Sequence, residues 1–371
     1  MQDKHSEFGI ADQLELFFSI FSALRQLRAT GQEDDVVICV ISDRQDFDPH
    51  LPIDHLHFSA AEFADWTRSP HGVYNHRVKI HALMKAIDHY RAPVALVDTD
   101  TYFTASPAQL FERISSQKTV MHHLEVAHIA DYSLRQPILG SLWQPILENI
   151  GDGIEINGVE VSPQSSMFNS GVIGVEPSHR ALLEQSLTVL DELYGRSPIF
   201  NVEQFAVGVT LNQATQLSTS EDLITHYYGA SRGFIHLQIS RLFPDFTAAT
   251  LEKLLKGSEF TVMGYPPKAL SDQVITRILA TFKRWHPEYR FAYLCYRSSF
   301  FYATQDPEYA NIWAAIALQM IQSLKKKNLS IFSLEQVQRD FQRFQANKIG
   351  LLNWLDPSVR NNWIQLWKPL P

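Results

Sequence analysis

Cysteine is nearly absent from this chain: Cys39 and Cys295 are the only two in 371 residues. Cys39 lies in the strand-like VVICVI and Cys295 in the aromatic FAYLCY. Both read as buried thiols, which fits a reducing compartment, the cytoplasm, better than a disulfide. Long apolar runs are missing too. No stretch reaches the ~18 uninterrupted apolar residues of a spanning helix, and the opening MQDKHSEFG lacks the apolar core of a secretion signal. Positive charge is in deficit, with 32 Lys and Arg against 40 Asp and Glu and a net charge of −8. With no long basic stripe, nucleic acid is a poor partner, and any anion must be met at a local site. Internal repeats and low-complexity tracts are also lacking.

Hydropathy patterning is ordinary and informative. Residues 12 to 29 place Leu14, Phe17, Phe18, Phe21 and Leu24 on one helical face, with Asp12 and Glu15 as a capped start and Gly31 as a stop. VVICVI (36–41) reads as a strand buried on both faces, Asn75 to Tyr90 as a helix, and Val94 to Val97 as another buried strand. Ser106-Pro107 opens a short helix. The stretch from about 122 to 165 reads as loop-rich. GVIGV (171–175) restores a strand, Ser178 caps a helix running to about Tyr194, and Asn201 to Gln213 forms one more. LITHYYG (223–229) is a strand ending in a turn. This alternation predicts an α/β fold with a mostly parallel sheet flanked by helices. YPPK (265–268) reads as a linker turn before aromatic-rich helical patterns. The expected domains are therefore 1–258, α/β, and 259–371, a mainly helical appendage. Aromatics within 282–302 either stack on sugar rings or form a helical core. Tyr309 to Ile321, followed by Lys325 to Lys327, reads as a buried helix with a solvated end, the alternative being a membrane-surface helix.

VALVDTDTYF (94–103) raises the question of function. Why should a buried strand end in two carboxylates that repel each other? One D-x-D is expected by chance in a chain of this length, about one, and a second, Asp46-Phe47-Asp48, sits in a polar stretch before Pro49. Position favours the first, because ligands of open α/β sheets bind beyond the carboxyl ends of strands. A hard divalent cation bridging to a phosphate would satisfy both charges; a solvated pair is the alternative. Three later stretches bear on the choice. MFNSGVIGVEPS puts Asn169, Ser170 and Gly171 before a strand. NVEQFAVG brings Glu203 and Gln204 onto a helix start. THYYGASR spaces His226, Gly229 and Arg232 as H-x-x-G-x-x-R, offering a metal ligand, a turn and a charge for phosphate.

The order of these motifs resembles the GT-A-fold, nucleotide-sugar-dependent glycosyltransferases, and most of all glycosyltransferase family eight. There a D-x-D strand end is followed by N-[AS]-G-V, an aspartate-glutamine helix start and H-x-x-G-x-x-K. The resemblance covers roughly residues 8 to 235. It implies a GT-A-like (Rossmann-like) catalytic domain with Asp98, Asp100 and His226 as metal ligands, Asp98 also touching the ribose. Asn169 and Gly171 would line the donor sugar, with Ser170 between them in the donor site, and Glu203 and Gln204 would face the reacting carbon. Arg232 would grip the leaving diphosphate, Gly229 would belong to the donor-binding turn, and Lys79 or Arg77 would stand against the donor. The implied cofactor is Mn²⁺ or Mg²⁺, the donor a nucleotide diphosphate sugar, UDP before GDP, and the outcome retention. The acceptor is open: saccharide, lipid-linked or protein.

The chain departs from that pattern at three places. Arg232 replaces a lysine, and Glu203 replaces an aspartate, which leaves retaining and inverting chemistry both available. The family's first strand, which cradles the nucleobase, has no counterpart before MQDKHSEFGIADQ. Ser42 and Asp43 either contribute to a base site or form a plain turn. Two rival readings follow: a catalytically degenerate GT-A-like binding or scaffold module, and a haloacid-dehalogenase-type phosphatase. In the latter, a threonine would be needed where Tyr102 stands, and a G-D-x-x-x-D motif is missing after Gly151-Asp152.

Overall fold

The structure is a computed structural model that describes residues 8–44, 51–132, 137–243, 245, 247–256, 262, 264–326, 339–340 and 355–366. The Asp46-Phe47-Asp48 motif, Pro49 and the side chains of Lys325 to Lys327 lie outside the described residues. In chain order the helices are α1 Phe8–Thr30, α2 Ala60–Trp66, α3 Arg77–Tyr90, α4 Ala108–Phe111, α5 Pro137–Ile150, α6 Arg180–Arg196 and α7 Val202–Ala214. They continue with α8 Arg232–Leu242, α9 Ala248–Leu255, α10 Leu270–Phe282, α11 Pro287–Tyr302, α12 Pro307–Lys326 and α13 Pro357–Leu366. The strands begin with β1 Cys39–Ser42, β2 Asp54–His57, β3 Arg68–Ser69, β4 Gly72–Val73, β5 Val94–Val97, β6 Thr101–Phe103 and β7 Lys118–Met121. After these come β8 Leu124–Val126, β9 Ile154–Ile156, β10 Val159–Val161, β11 Met167–Phe168, β12 Val172–Val175, β13 Gln216–Thr219 and β14 Ile224–His226.

Two compact units emerge, residues 1–226 with 243–259, and residues 227–242 with 260–371. The first is mixed α/β. Its main sheet has the order β13-β7-β12-β5. Three of the four strands share a direction, but β12 runs against both β5 and β7, so two of the three pairings are antiparallel. The expected mostly parallel sheet is thus a mixed one. A short apolar strand such as VIGV carries no sign of its direction, and only its neighbours decide it. β12 is fully buried and sits mid-sheet, whereas β5 is half-buried and is the last strand of its sheet.

β1 and β2 pair in parallel outside that sheet. Ile41 of β1 and Leu96 of β5 nevertheless pack on one apolar group, Phe58, Trp66 and Ala82. Ile38, Ala95 and Val97 pack together on another group that includes Ala23, Phe103 and Leu110. The two strands therefore lie between the same apolar layers without being hydrogen-bonded to each other. VVICVI is not buried on both faces: the strand starts only at Cys39, which is half-buried, and Val37 is exposed.

Several helices follow their sequence signals. α3 buries Ile80, Leu83, Met84 and Ile87 at the expected spacing, and α7 begins after Asn201 as expected. α1 starts at Phe8, ahead of Asp12, and stops at Gly31, whose φ is +67°. Ser178 falls inside a 3₁₀ turn, Pro177–His179, just before α6. The region expected to be loop contains α5 and a β9–β10 hairpin. Gly140 and Pro145 read as breakers, but α5 runs through Pro145, and Asn149 donates to the Pro145 carbonyl at 2.7 Å.

The second unit is mainly helical. Tyr289, Tyr293, Tyr296 and Phe300 of α11 form its core with Trp313, Ala317 and Ile321 of α12. The aromatics of 282–302 are thus largely a helical core, and Tyr309 to Ile321 is the buried helix expected. α8 also belongs here, with Phe234 against Trp313 at a ring separation of 4.6 Å. No described helix is long and apolar enough to cross a membrane.

Candidate metal centre

Strand pairing brings the three expected ligands together within the first unit. Asp98 follows β5 directly, and its N–H bonds the Gly171 carbonyl at 2.9 Å, which extends the ladder with β12 by one step. The chain then turns through Asp100 into β6; Thr101 Oγ1 donates to the Asp98 carbonyl at 2.6 Å and closes the turn. β6 pairs antiparallel with β14, so His226 stands opposite Thr101, one residue beyond Asp100. One oxygen from each aspartate and one His226 nitrogen lie within 4.8 Å of one another, all on half-buried residues.

Each carboxylate has a partner of opposite character. Lys79 Nζ donates to Asp98 Oδ2 at 2.7 Å, and His226 Nε2 lies 3.0 Å from Asp100 Oδ1. The hydrogen-bond pattern also settles which His226 nitrogen carries hydrogen. Asn169 Oδ1 accepts from Gly171 N–H at 2.9 Å, while Asn169 Nδ2 donates to Glu125 Oε1 at 3.0 Å. The amide orientation is therefore pinned, and Oδ1 faces His226 Nδ1 at 3.0 Å as an acceptor. Nδ1 must be the donor. In the neutral ring, Nε2 then presents a lone pair to a carboxylate oxygen 3.0 Å away. Two acceptors at that distance repel unless a cation lies between them, either a proton on Nε2 or a metal ion. Two hard oxygens and one imidazole suit a divalent first-row ion such as Mn²⁺, and Asn169 holds the ring as outer partners of ligating histidines do.

Close approach explains Gly171. A Cβ there would lie 2.4 Å from His226 Nδ1, 2.8 Å from Cε1 and 3.0 Å from Asn169 Oδ1. Only glycine leaves room for the ring.

Behind the acids lies a buried polar relay. Lys79 Nζ also reaches Ser170 Oγ at 3.4 Å, and Ser170 Oγ donates to Glu203 Oε2 at 3.2 Å. Burial opposes the Lys79 ammonium, but Glu203, Asp98 and Asp100 outweigh it and raise the pKa above the ordinary lysine value. Glu203 sits on the first turn of α7; Tyr74 Oη donates to the Phe200 carbonyl at 2.6 Å and lies 3.3 Å from Glu203 N–H. Burial pushes the Glu203 carboxyl up to about 7, against the pull of Lys79. Its Oε1 is buried with no hydrogen-bond partner among the described residues, an arrangement that costs free energy unless the group holds a proton or meets a ligand. Gln204 is buried beside it.

Known protein families, curated proteins and solved structures contain no match to this chain. The site therefore stands on its own chemistry.

Against the expectations, Asp98, Asp100, His226, Asn169, Ser170, Gly171, Lys79 and Glu203 come together. Arg77 does not join them. Its guanidinium makes a two-point ion pair with Asp191, both contacts 2.9 Å, and donates to the carbonyls of Trp66 and Arg68. Asn169, expected to line a sugar, has its amide engaged with His226, Gly171 and Glu125, so it orients the histidine. Gly229 and Arg232 belong to the second unit, Gly229 in a 3₁₀ turn with φ +75° and Arg232 at the start of α8 with Nε 3.4 Å from His236 Nε2. Ser42 bonds His55 at 2.9 Å.

Sequence reasoning missed the buttress of the site. Glu125 is held on its other oxygen by Tyr132 at 2.9 Å, and Tyr132 accepts from Asn201, which in turn accepts from Trp143. His122 meets the His226 ring edge-on at 5.4 Å, and its Nε2 lies 3.0 Å from the Ile224 carbonyl. Burial lowers His122 to about 4, so it is a neutral neighbour. The pair His122-His123 was the one visible signal for this layer.

Proposed function

We propose that the first unit is the catalytic domain of a divalent-metal-dependent glycosyltransferase that uses a nucleotide diphosphate sugar, a UDP-sugar in the first instance. The observation that carries this reading is the Asp98–Asp100–His226 cluster, with the His226 tautomer set so that its lone pair faces the acids. A bound divalent cation there supplies Lewis acidity toward a diphosphate.

The remaining roles belong to the chain's own residues. Lys79 places a half-buried positive charge beside Asp98, where it can stabilise charge developing on a leaving phosphate. Glu203, with a pKa near neutrality, can hold or release a proton at Oε1 and steady positive character on a sugar ring. Retention follows the family resemblance. Gln204 is assigned to the reacting carbon on the same ground. The two unlinked thiols agree with a cytoplasmic protein.

The test is a panel of nucleotide sugars with and without Mn²⁺, read as thermal shift and released nucleotide diphosphate. Metal-dependent release from one donor, lost in Asp100→Ala with an unchanged fold, supports the reading. Binding without release would instead identify a degenerate binding module. Phosphate release from simple phosphomonoesters without nucleotide-sugar binding would replace the reading with a phosphatase.

A further inference from the structure

α10, in the second unit, is turned inside out. Its sequence is LSDQVITRILATF. The residues it buries are small or polar, Thr276 and Ala280, with Leu279 partly buried. The large apolar residues face outward: Leu270 is 75% exposed and Phe282 85%, with Val274, Ile275 and Ile278 also exposed.

At about 100° per residue, positions 270, 274, 278, 282 and 275 fill one continuous arc of about 140°, interrupted only by Ser271 and Thr281. The arc runs about 18 Å along the helix. No charged residue falls in it. A lone exposed leucine needs no explanation, but an ordered apolar face that outdoes the buried face does.

Among the described residues, the charges at this face that lack an ion-pair partner are of one sign. Arg277 borders the arc, and Arg284 follows its end, where a left-handed residue (φ 51°) terminates the helix. Both are exposed and neither has a carboxylate partner among the described residues. The one acidic residue of the helix, Asp272, points to the other side and is bound by Arg297. Lys283, next to Phe282, is paired with Asp340. A chain with a net charge of −8 thus presents an apolar strip with two guanidinium groups on its rim that have no carboxylate partner among the described residues. A second copy of the same face would bring guanidinium toward guanidinium. An anionic lipid surface complements both features: acyl chains for the strip and headgroup phosphates for Arg277 and Arg284.

We infer that α10 is an interfacial helix that docks the protein on anionic membranes, with Leu270, Val274, Ile278 and Phe282 entering the acyl boundary. This is a different surface from the Tyr309–Ile321 segment, whose apolar residues are consumed by the core. It holds whether or not the first unit transfers sugars.

The experiment is sedimentation of the full chain with vesicles of phosphatidylcholine alone or with phosphatidylglycerol. Two variants accompany it, V274E/I278E and R277E/R284E, and their folds are checked by thermal melting. Binding should require phosphatidylglycerol, and each variant should lower it by at least about tenfold, while both melt as the parent does. Failure of the parent to sediment with anionic vesicles overturns the inference, as does equal binding to both vesicle types. A concentration-dependent dimer abolished by V274E/I278E, without vesicle binding, overturns it in favour of an interface between copies.

Discussion

Replacing Gly171 by alanine adds one methyl group and removes no ligand, so it probes how tightly the histidine is held. The new Cβ would sit 2.4 Å from His226 Nδ1 and 2.8 Å from Cε1. Ordinary contact begins near about 3.5 Å, so the ring must retreat by about 1 Å. That movement breaks the 3.0 Å contacts with Asn169 and Asp100 together. Displacing an outer partner of a ligating histidine typically weakens metal by about 10–100-fold, or about 1.4–2.7 kcal/mol. Overpacking costs the fold about 1–3 kcal/mol, enough to lower Tm by several degrees. Calorimetric titration with Mn²⁺, beside a melt without metal, measures both effects. A folded Gly171→Ala protein that binds Mn²⁺ as the parent does would refute the packing argument, since the ring would then have found another way to reach the acids.

Glu203 carries a pH signature. Its folded pKa of about 7 lies above the ordinary 4.5, so its contribution is full below about 4.5 and is lost as pH rises through about 7. Glu203→Gln should flatten that decline and stabilise the protein at pH 8 by up to about 3 kcal/mol, measured by urea unfolding at several pH values; an unchanged profile would show the carboxylate already ionised. Arg77→Ala should destabilise by about 1–3 kcal/mol, because half-buried Asp191 and the carbonyls of Trp66 and Arg68 all lose their donor, yet leave Mn²⁺ affinity alone; a selective loss of metal would reinstate Arg77 at the site. Lys79→Met removes a cation that competes for Asp98, so Mn²⁺ should bind more tightly while nucleotide release slows; weaker Mn²⁺ binding would contradict this.

The strand end at Val94–Asp100 was legible because four apolar residues cannot be followed by two acids without a reason. His226 was legible only through its spacing to Gly229 and Arg232, and the link to Asp100 comes from the register of β14 on β6, which no local signal encodes. Arg77 and Lys79 lie two residues apart on the first turn of α3, on different sides of the helix, and look alike in sequence. The partner decides between them: Asp191 on α6 claims one, Asp98 the other. Asn169 lies at the cluster with its amide engaged by His226, Gly171 and Glu125, and in sequence a side-chain amide looks the same whether it touches a sugar or orients a ring. The direction of β12 and the presence of α5 were hidden for a related reason. Both depend on contacts between segments far apart in the chain, and Gly140 and Pro145 argue locally against a helix that tertiary packing sustains.

The most direct measurement counts Mn²⁺ bound per chain by calorimetry in the parent protein and in Asp100→Ala and His226→Ala. One ion in the parent and none at comparable concentration in either folded variant is the expected result. No binding to the parent at millimolar Mn²⁺, or equal binding by all three proteins, would mean that the lone pair of His226 faces Asp100 across a proton alone, and the proposed transfer chemistry would lose its centre.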